Sequence, residues 1–394
     1  MQIGIVGKTN TGKSTFFSAA TLVAAEIANR PFVTIKPNQG TSYVAVPCVH
    51  AELKVTCEPV NSKCTNGMRL IPITLLDVAG LVPDAWQGKG LGNMFLNDLM
   101  QAQALVHVLD TSGRTDFEGN PTTSHNPADD VRFLEREITF WLKGILQKNW
   151  QKIGKTHVAD LKQSAELLAK QLTGLGILEP EIKLVLEKGG FGKPSEWNDE
   201  EMLRFVEEIR KESKPILIAA NKMDVPESEK NLKKLREEFP EKVFVPVCAE
   251  AELALRRAAE HGLIDYVPGA SDFKELQQLQ EKQKHALNFI RENVLKKFGN
   301  TGVQQAINET AFKLLDLIVV YPVEDQHKFA SGKGNILPDA YLLKRGSSAF
   351  DLAVKIHSSF GERFVAAVDC RTGQRIGKEN ALKNNDVVKI QLSH

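Results

Sequence analysis

Cysteine is scarce and unevenly placed: five in 394 residues, with Cys48, Cys57 and Cys64 close together and Cys248 and Cys370 isolated. That is not the dense, even set of a disulfide-stapled secreted scaffold. Long apolar runs are lacking too, and the longest, such as residues 216–220, fall far below the ~20 residues of a bilayer span. Neither sign of charge is in excess, with 50 Lys plus Arg against 49 Asp plus Glu. No global basic field therefore advertises nucleic acid, and no acidic excess suggests a solvating tail. Any RNA contact has to come from a local patch. Repeats of fixed period and low-complexity segments are missing as well. An apolar strand begins at Gln2, leaving no room ahead of it for the parts of a secretory leader, so the expectation is a cytoplasmic protein.

What is present points to an α/β protein of two or three domains, on a soft prior of about 150 residues per domain. Short β-branched runs at 2–6, 71–76, 104–109, 215–220 and 243–247 read as buried strands of a parallel-rich sheet. Between the third and fourth of them, apolar residues recur at helical spacing (Val131, Leu134, Ile138, Trp141, Leu142, Ile145), which predicts a helical insertion. The reading divides the chain into a nucleotide-binding domain at 1–125 and 214–270, a helical insertion at 126–213, a helical connector at 271–317 and a small β-rich domain at 318–394. Within the connector, helical patterns are expected at 271–298 and 303–315; in the tail, short strands surround one amphipathic stretch, 349–360.

Four motifs carry the chemistry. Gly7-Lys8-Thr9-Asn10-Thr11-Gly12-Lys13-Ser14 fits the phosphate-binding loop G-x-x-x-x-G-K-[ST], and it lies between a strand and a helix. Gly7 and Gly12 let backbone N–H groups converge on phosphate oxygens at a helix N-terminus. Lys13 is expected on the β- and γ-phosphates and the Ser14 hydroxyl on Mg²⁺; Asn10, Thr11 and Thr15 complete the loop's nucleotide set. Asp77-Val78-Ala79-Gly80 ends an apolar strand, where the Asp77 carboxylate can hold the metal and the Gly80 N–H can approach the γ-phosphate. Asn221-Lys222-Met223-Asp224 follows another strand. Its Asp224 can accept both N1–H and the exocyclic amine of guanine, a pattern adenine does not offer, so the expected ligands are GTP and GDP. Asn221 would tie this loop to the phosphate loop, and the Lys222 stem would cover one face of the base. Cys248-Ala249-Glu250 then stands where a backbone N–H, that of Ala249, can meet guanine O6.

In this order and spacing the motifs resemble those of the Obg-type P-loop GTPases, most closely the subgroup that contains YchF and its archaeal relatives. The diagnostic stretches are Arg30-Pro31-Phe32-Val33-Thr34-Ile35-Lys36-Pro37-Asn38-Gln39-Gly40 and Asp77 to Pro83, continuing through Gly88-Lys89-Gly90-Leu91-Gly92-Asn93. The resemblance implies that Thr34 is the switch residue that ligates Mg²⁺ and senses the γ-phosphate, and that the glycine-rich run belongs to the second switch. It also implies a C-terminal TGS-like, ubiquitin-like β-grasp domain on Lys344-Arg345-Gly346-Ser347-Ser348, Asp351-Leu352-Ala353 and Ile356-His357. His357 reads as a structural hydrogen-bonding residue.

Two departures matter. YchF proteins typically carry Glu at the position of Asp224, a change associated with accepting ATP, so guanine is the expected base here and an ATPase the alternative. Many GTPases follow the D-x-x-G glycine with a water-orienting Gln, but this chain has Leu81. Slow intrinsic hydrolysis is expected. In several GTPases with that apolar residue, an asparagine at the position of Asn10 helps hold K⁺ beside the phosphates, which makes Asn10 a catalytic candidate with Lys13, Thr34 and Gly80. The family implies a monomer, no membrane, and a ribosome or structured RNA as partner through the TGS-like domain. The readings left open are a GTPase switch and an RNA- or ribosome-binding module whose hydrolysis is incidental.

Two further clusters stand out. Lys143, Lys148, Lys152, Lys155 and Lys162 lie on the insertion among interleaved acids, a pattern that favours a solvated helix face over an RNA patch. Cys48, His50, Cys57 and Cys64 are four soft donors within 17 residues. They match the tetrahedral needs of Zn²⁺ but lack the usual C-x₂-C pairing, and unrelated small residues in a strand–loop–strand excursion are the competing reading.

Overall fold

The computed structural model describes residues 1–21, 39–78, 99, 101–156 and 158–393. They form two compact units: one comprises Gln2–Gly40 and Thr74–Ala306, the other Thr41–Ile73 and Ile307–His394 together with Met1.

The larger unit is built on parallel strands. β1 (Gln2–Val6) lies between β4 (Met68–Asp77) and β5 (Ala104–Asp110), and β6 (Ile216–Asn221) and β7 (Val243–Pro246) follow in order. Every residue of β5 is buried, which explains why it reads as an unbroken apolar run: both faces of a central parallel strand are covered. The helical insertion shares this core. Val6, Leu76 and Leu105 of the sheet pack in one cluster with Leu134, Ile138, Leu168, Ile182 and Phe205 of the insertion. Its first helix, Pro127–Lys155, starts where Asn126 Oδ1 accepts from the Ala128 N–H (3.2 Å), with Pro127 in the first turn and Asp129 and Asp130 favouring the positive end of the helix dipole. Its last, Asp199–Ser213, opens with a capping box between Asn198 and Glu201.

The connector departs from the expected single helix over 271–298. Lys274–Glu275 (β9) pairs antiparallel with Ile264–Asp265 (β8), and the helix begins only at Glu281. Arg291 supplies the reason: it bonds Asp272 Oδ1 (2.7 Å) and the Phe273 carbonyl (2.7 Å) and stacks 3.9 Å from the Phe273 ring, holding 272–273 away from a helical path.

The smaller unit carries the expected β-grasp arrangement. Its sheet has the order β11 (Tyr341–Lys344), β10 (Leu317–Val323), β14 (Asp386–Leu392), β12 (Phe364–Asp369), β13 (Arg375–Ile376), with β10 and β14 parallel at the centre. The helix Ala349–Ile356 buries Ala349 and Leu352 against Ile318, Val320, Ala367 and Val388. The amphipathic stretch 349–360 is two helices, broken at His357, whose Nδ1 accepts from the Ser359 N–H (3.2 Å).

This unit is larger than the tail alone. It takes in most of β2 (Gln39–Pro47), all of β3 (Lys63–Thr65) and the first part of β4. The loop before β3 runs along the C-terminal segment, with Glu58 N–H donating to the Ile336 carbonyl (2.8 Å) and Val60 N–H to that of Pro338 (2.7 Å). Asn308 bonds both backbone groups of Ala45, and Arg371 forms a two-pronged ion pair with Glu52. A chain cut before residue 318 would leave the Glu58 and Val60 N–H groups and the Glu52 carboxylate without these partners, so the tail is not closed on itself.

Candidate functional site

The phosphate loop follows β1 and leads into the helix Lys13–Thr21. Its glycines are there because nothing larger fits. A Cβ on Gly7 would lie 2.6 Å from the Val108 carbonyl oxygen, and one on Gly12, at φ +91°, would lie 2.3 Å from Asn221 Nδ2. Lys13 Nζ meets the Asp77 carboxylate at the end of β4, which places a cation and an acid together at the start of that helix. Ser14 is exposed beside Lys13. Hydroxyl and carboxylate oxygens next to an ammonium suit a phosphate with a hard divalent cation, so Ser14 and Asp77 fit Mg²⁺ and Lys13 fits phosphate.

The loop after β6 is bolted to this one as the sequence suggested. Asn221 Nδ2 donates to the Thr11 carbonyl (2.8 Å), and Asn221 Oδ1 accepts from the Ala249 N–H (3.0 Å), joining three loops through one buried amide. The Ala249 N–H, which the sequence reading offered to a base carbonyl, is therefore already engaged inside the protein. Asp224 is exposed, and its Oδ1 accepts from the Cys248 thiol (3.3 Å). Burial, reinforced by the Asp224 charge, pushes that thiol up to about 12, so it stays a neutral donor. Glu250 is exposed at the start of the following helix.

Sequence reasoning missed several parts. Lys222, at φ +64°, anchors its Nζ on Asp110 Oδ2 (2.9 Å) at the end of β5, a partner the motif did not disclose. Asp110 is fully buried and also accepts from Ser112 (2.5 Å) and Thr115 (2.7 Å). Burial alone would raise its pKa, but these hydrogen bonds and Lys222 hold it below the usual carboxylate range. The acid that closes the strand Ala104–Asp110, followed by Thr111-Ser112, was the available signal. Lys8, inside the phosphate loop, is buried and reaches Asp130 (2.7 Å) and the Thr115 carbonyl (2.8 Å), so the insertion's first helix braces the loop. Asn10 adopts φ +62° and donates from Nδ2 to the Gly119 carbonyl (2.9 Å). The connector braces the loop after β7: Cys248 N–H donates to the Thr301 carbonyl (2.9 Å), and a Cβ on Gly302 would lie 1.9 Å from the Pro246 carbonyl oxygen.

Thr34 and Gly80, with Leu81 and the run 88–92, lie outside the described residues. Lys143 is withdrawn from the proposed basic face, since it is buried and ion-paired with Asp199 (2.6 Å); Lys162 lies 3.9 Å from Glu166 on its own helix. Lys148 and Lys155 are exposed, and nothing is described of the Lys152 side chain.

The four soft donors do come together. The turn Asn66-Gly67, both residues at positive φ, joins β3 to β4 and sets Cys64 opposite Arg69; Cys48 N–H bonds the Gly67 carbonyl (2.8 Å). His50 Nδ1 then lies 3.3 Å from Cys57 Sγ and 3.5 Å from Cys64 Sγ. Burial would raise the Cys48 thiol, but the His50 backbone N–H and the Arg69 guanidinium bring it down to about 7, while burial and the Cys48 charge push Cys64 up to about 12.

Three family descriptions match the chain: "Obg-like GTPase YGR210-like, G4 motif-containing domain" over residues 219–325, "50S ribosome-binding GTPase" over 2–149, and "TGS domain" over 333–391. An uncharacterized GTP-binding protein of Methanocaldococcus jannaschii is 47% identical over 388 residues, 98% of each chain. The ribosome-binding ATPase YchF of Escherichia coli O157:H7 is 30% identical over 92% of this chain and 86% of its own length. Among solved structures, a GTP-binding protein from Pyrococcus horikoshii OT3 superposes with a TM-score of 0.80 at 39% identity, covering all of both chains.

Proposed function

Because the chain belongs to the YchF-type group of Obg-like P-loop GTPases, we propose that it hydrolyses GTP to GDP and phosphate with Mg²⁺ and works as a nucleotide-dependent switch. The observation that carries the base choice is Asp224, an exposed carboxylate steadied by the Cys248 thiol at the rim of a loop that Asn221 fastens to the phosphate loop. A carboxylate there matches the two adjacent N–H donors of guanine and leaves adenine's ring without a counterpart. Relatives named ATPases give the competing substrate. In the proposed site Lys13 neutralises phosphate charge, Ser14, Thr34 and Asp77 hold the metal, which supplies Lewis-acid stabilisation of the phosphates, and the Gly80 N–H meets the γ-phosphate. Gly7, Asn10, Thr11, Gly12 and Thr15 cradle phosphates. Cys248, Ala249 and Glu250 line the base side, where Ala249 N–H shares or exchanges its bond to Asn221.

Leu81 neither donates nor accepts a hydrogen bond, so the nucleophile has to be served by another group. Asn10 is the proposed partner of a K⁺ ion at the phosphates, its Oδ1 remaining an acceptor while Nδ2 holds Gly119. One assay tests the whole reading. Phosphate release at saturating nucleotide should be faster with GTP than with ATP, and faster in KCl than in NaCl by roughly tenfold, the effect of about 1.4 kcal/mol at the transition state. Preference for ATP would overturn the base assignment. Equal rates in the two salts would reduce Asn10 to a loop brace.

The same reading assigns the protein to the cytoplasm as a monomer and gives the switch a ribosomal or structured-RNA partner, with residues 318–394 as the contacting module and 126–213 and 271–317 as insertion and connector. The supports are the relative known as the ribosome-binding ATPase YchF and the match of residues 333–391 to the TGS domain. Co-sedimentation with ribosomes should be stronger with a non-hydrolysable GTP analogue than with GDP and should weaken steeply with salt. Sedimentation indifferent to nucleotide would separate binding from the switch.

A further inference from the structure

We propose that Cys48, His50, Cys57 and Cys64 form a structural zinc site that locks the excursion between β2 and β4. Their donor atoms all lie within 4.8 Å of one another. Zinc bonds of ~2.3 Å to sulfur and ~2.05 Å to nitrogen, arranged tetrahedrally, separate N from S by about 3.6 Å and S from S by about 3.8 Å. The observed 3.3 and 3.5 Å from His50 Nδ1 to Cys57 and Cys64 sulfur match that spacing. Three thiolates and one imidazole are soft and borderline donors, which select zinc over magnesium or calcium, and four protein ligands leave no open position for catalysis.

Charge supplies an independent argument. Arg69 is completely buried, and its guanidinium donates to Cys48 Sγ (3.4 Å), Ser62 Oγ (2.9 Å) and the Leu337 carbonyl (2.9 Å) and lies 5.5 Å from the Tyr321 ring centre. Among the described residues no carboxylate pairs with it. A buried cation with only neutral partners is costly to desolvate. Three thiolates around a dication carry one net negative charge, and Arg69 balances that charge while its hydrogen bond to Cys48 sulfur orients a ligand from outside, as groups around metal sites do. The Cys48–x–His50 pair on a turn and the Cys64 side of a hairpin replace the two C-x₂-C knuckles of common zinc sites, so spacing alone did not disclose the site.

The location gives the metal a task. Residues 55–62, between the first and last ligands, carry the backbone bonds from Glu58 and Val60 to the segment 336–338. Closing the loop at both ends holds that strip extended against its partner.

Metal analysis of the full chain, expressed in rich medium and purified without chelator, should find about one zinc per chain. The Cys57→Ser/Cys64→Ser variant should find essentially none. Cobalt(II) added to chelator-stripped parent should give the intense thiolate-to-metal charge-transfer and visible d–d bands of a tetrahedral sulfur-rich centre. Protein that carries no zinc and shows no such bands overturns the proposal, as does stoichiometric iron. None of these readouts involves nucleotide, so a failure here leaves the GTPase reading standing, and a failure of that reading leaves this one.

Discussion

Lys13→Ala is expected to lower GTP affinity about a thousandfold in a titration calorimeter, on the scale of two or so charge-assisted contacts to phosphate at about 2 kcal/mol each. Lys13 is mostly covered and paired with Asp77, so the substitution also strips a part-exposed carboxylate of its counter-charge. Solvent still reaches both groups, which keeps the stability cost to about 1 kcal/mol. The two effects are separable: affinity should collapse while the melting temperature falls by only a few degrees. A large drop in melting temperature would make Lys13 mainly a structural partner of Asp77. Unchanged GTP binding would remove the phosphate site from this loop.

Asp224→Asn should exchange guanine for xanthine. The amide donates where the carboxylate accepted, and xanthine presents a carbonyl where guanine presents its amine. Loss of a charge-assisted pair, with donors on the base left unmatched, should cost GTP binding about 3–5 kcal/mol, or a factor of roughly 150 to 5,000. XTP should gain what GTP loses. The loop itself should survive, because Asn retains an Oδ1 acceptor for the Cys248 thiol, and Asn221, the residue that joins the three loops, is untouched. Titration of both nucleotides against the variant gives the answer, and GTP binding like that of the parent would exclude Asp224 from the base site.

Much of the fold was legible because the strands of a central parallel sheet are short, apolar and β-branched, and because Gly7, Gly12 and Asn221 each have a mechanical reason to be what they are. The site's supports were less visible. Lys8 and Lys222 look like surface lysines in sequence, yet each is consumed by an acid more than a hundred positions away, Asp130 and Asp110. Pairings of that range depend on where helices and strand ends meet, which local periodicity does not encode. The helix expected over 271–298 failed at its start for the same reason, since Arg291 reaches back to Asp272 and Phe273. Residues 41–73 fell within the stretch 1–125 that the sequence reading gave to the nucleotide-binding domain, whereas hydrogen bonds of that segment run to residues 336–338.

That discontinuity has a temporal side. A ribosome making this chain releases residues 41–73 early, but the β-grasp sheet and the carbonyl at Leu337 that receives Arg69 emerge only after another 233 residues, 74–306, have been made. The smaller unit therefore closes last, across a loop whose ends must find each other against the entropy of everything between. Until then, β3 and its hairpin wait without their final neighbours. A thiol-rich segment left waiting in this way is well served by a clasp that needs only its own nearby residues, and the donors from Cys48 to Cys64 are all available as soon as that stretch leaves the tunnel.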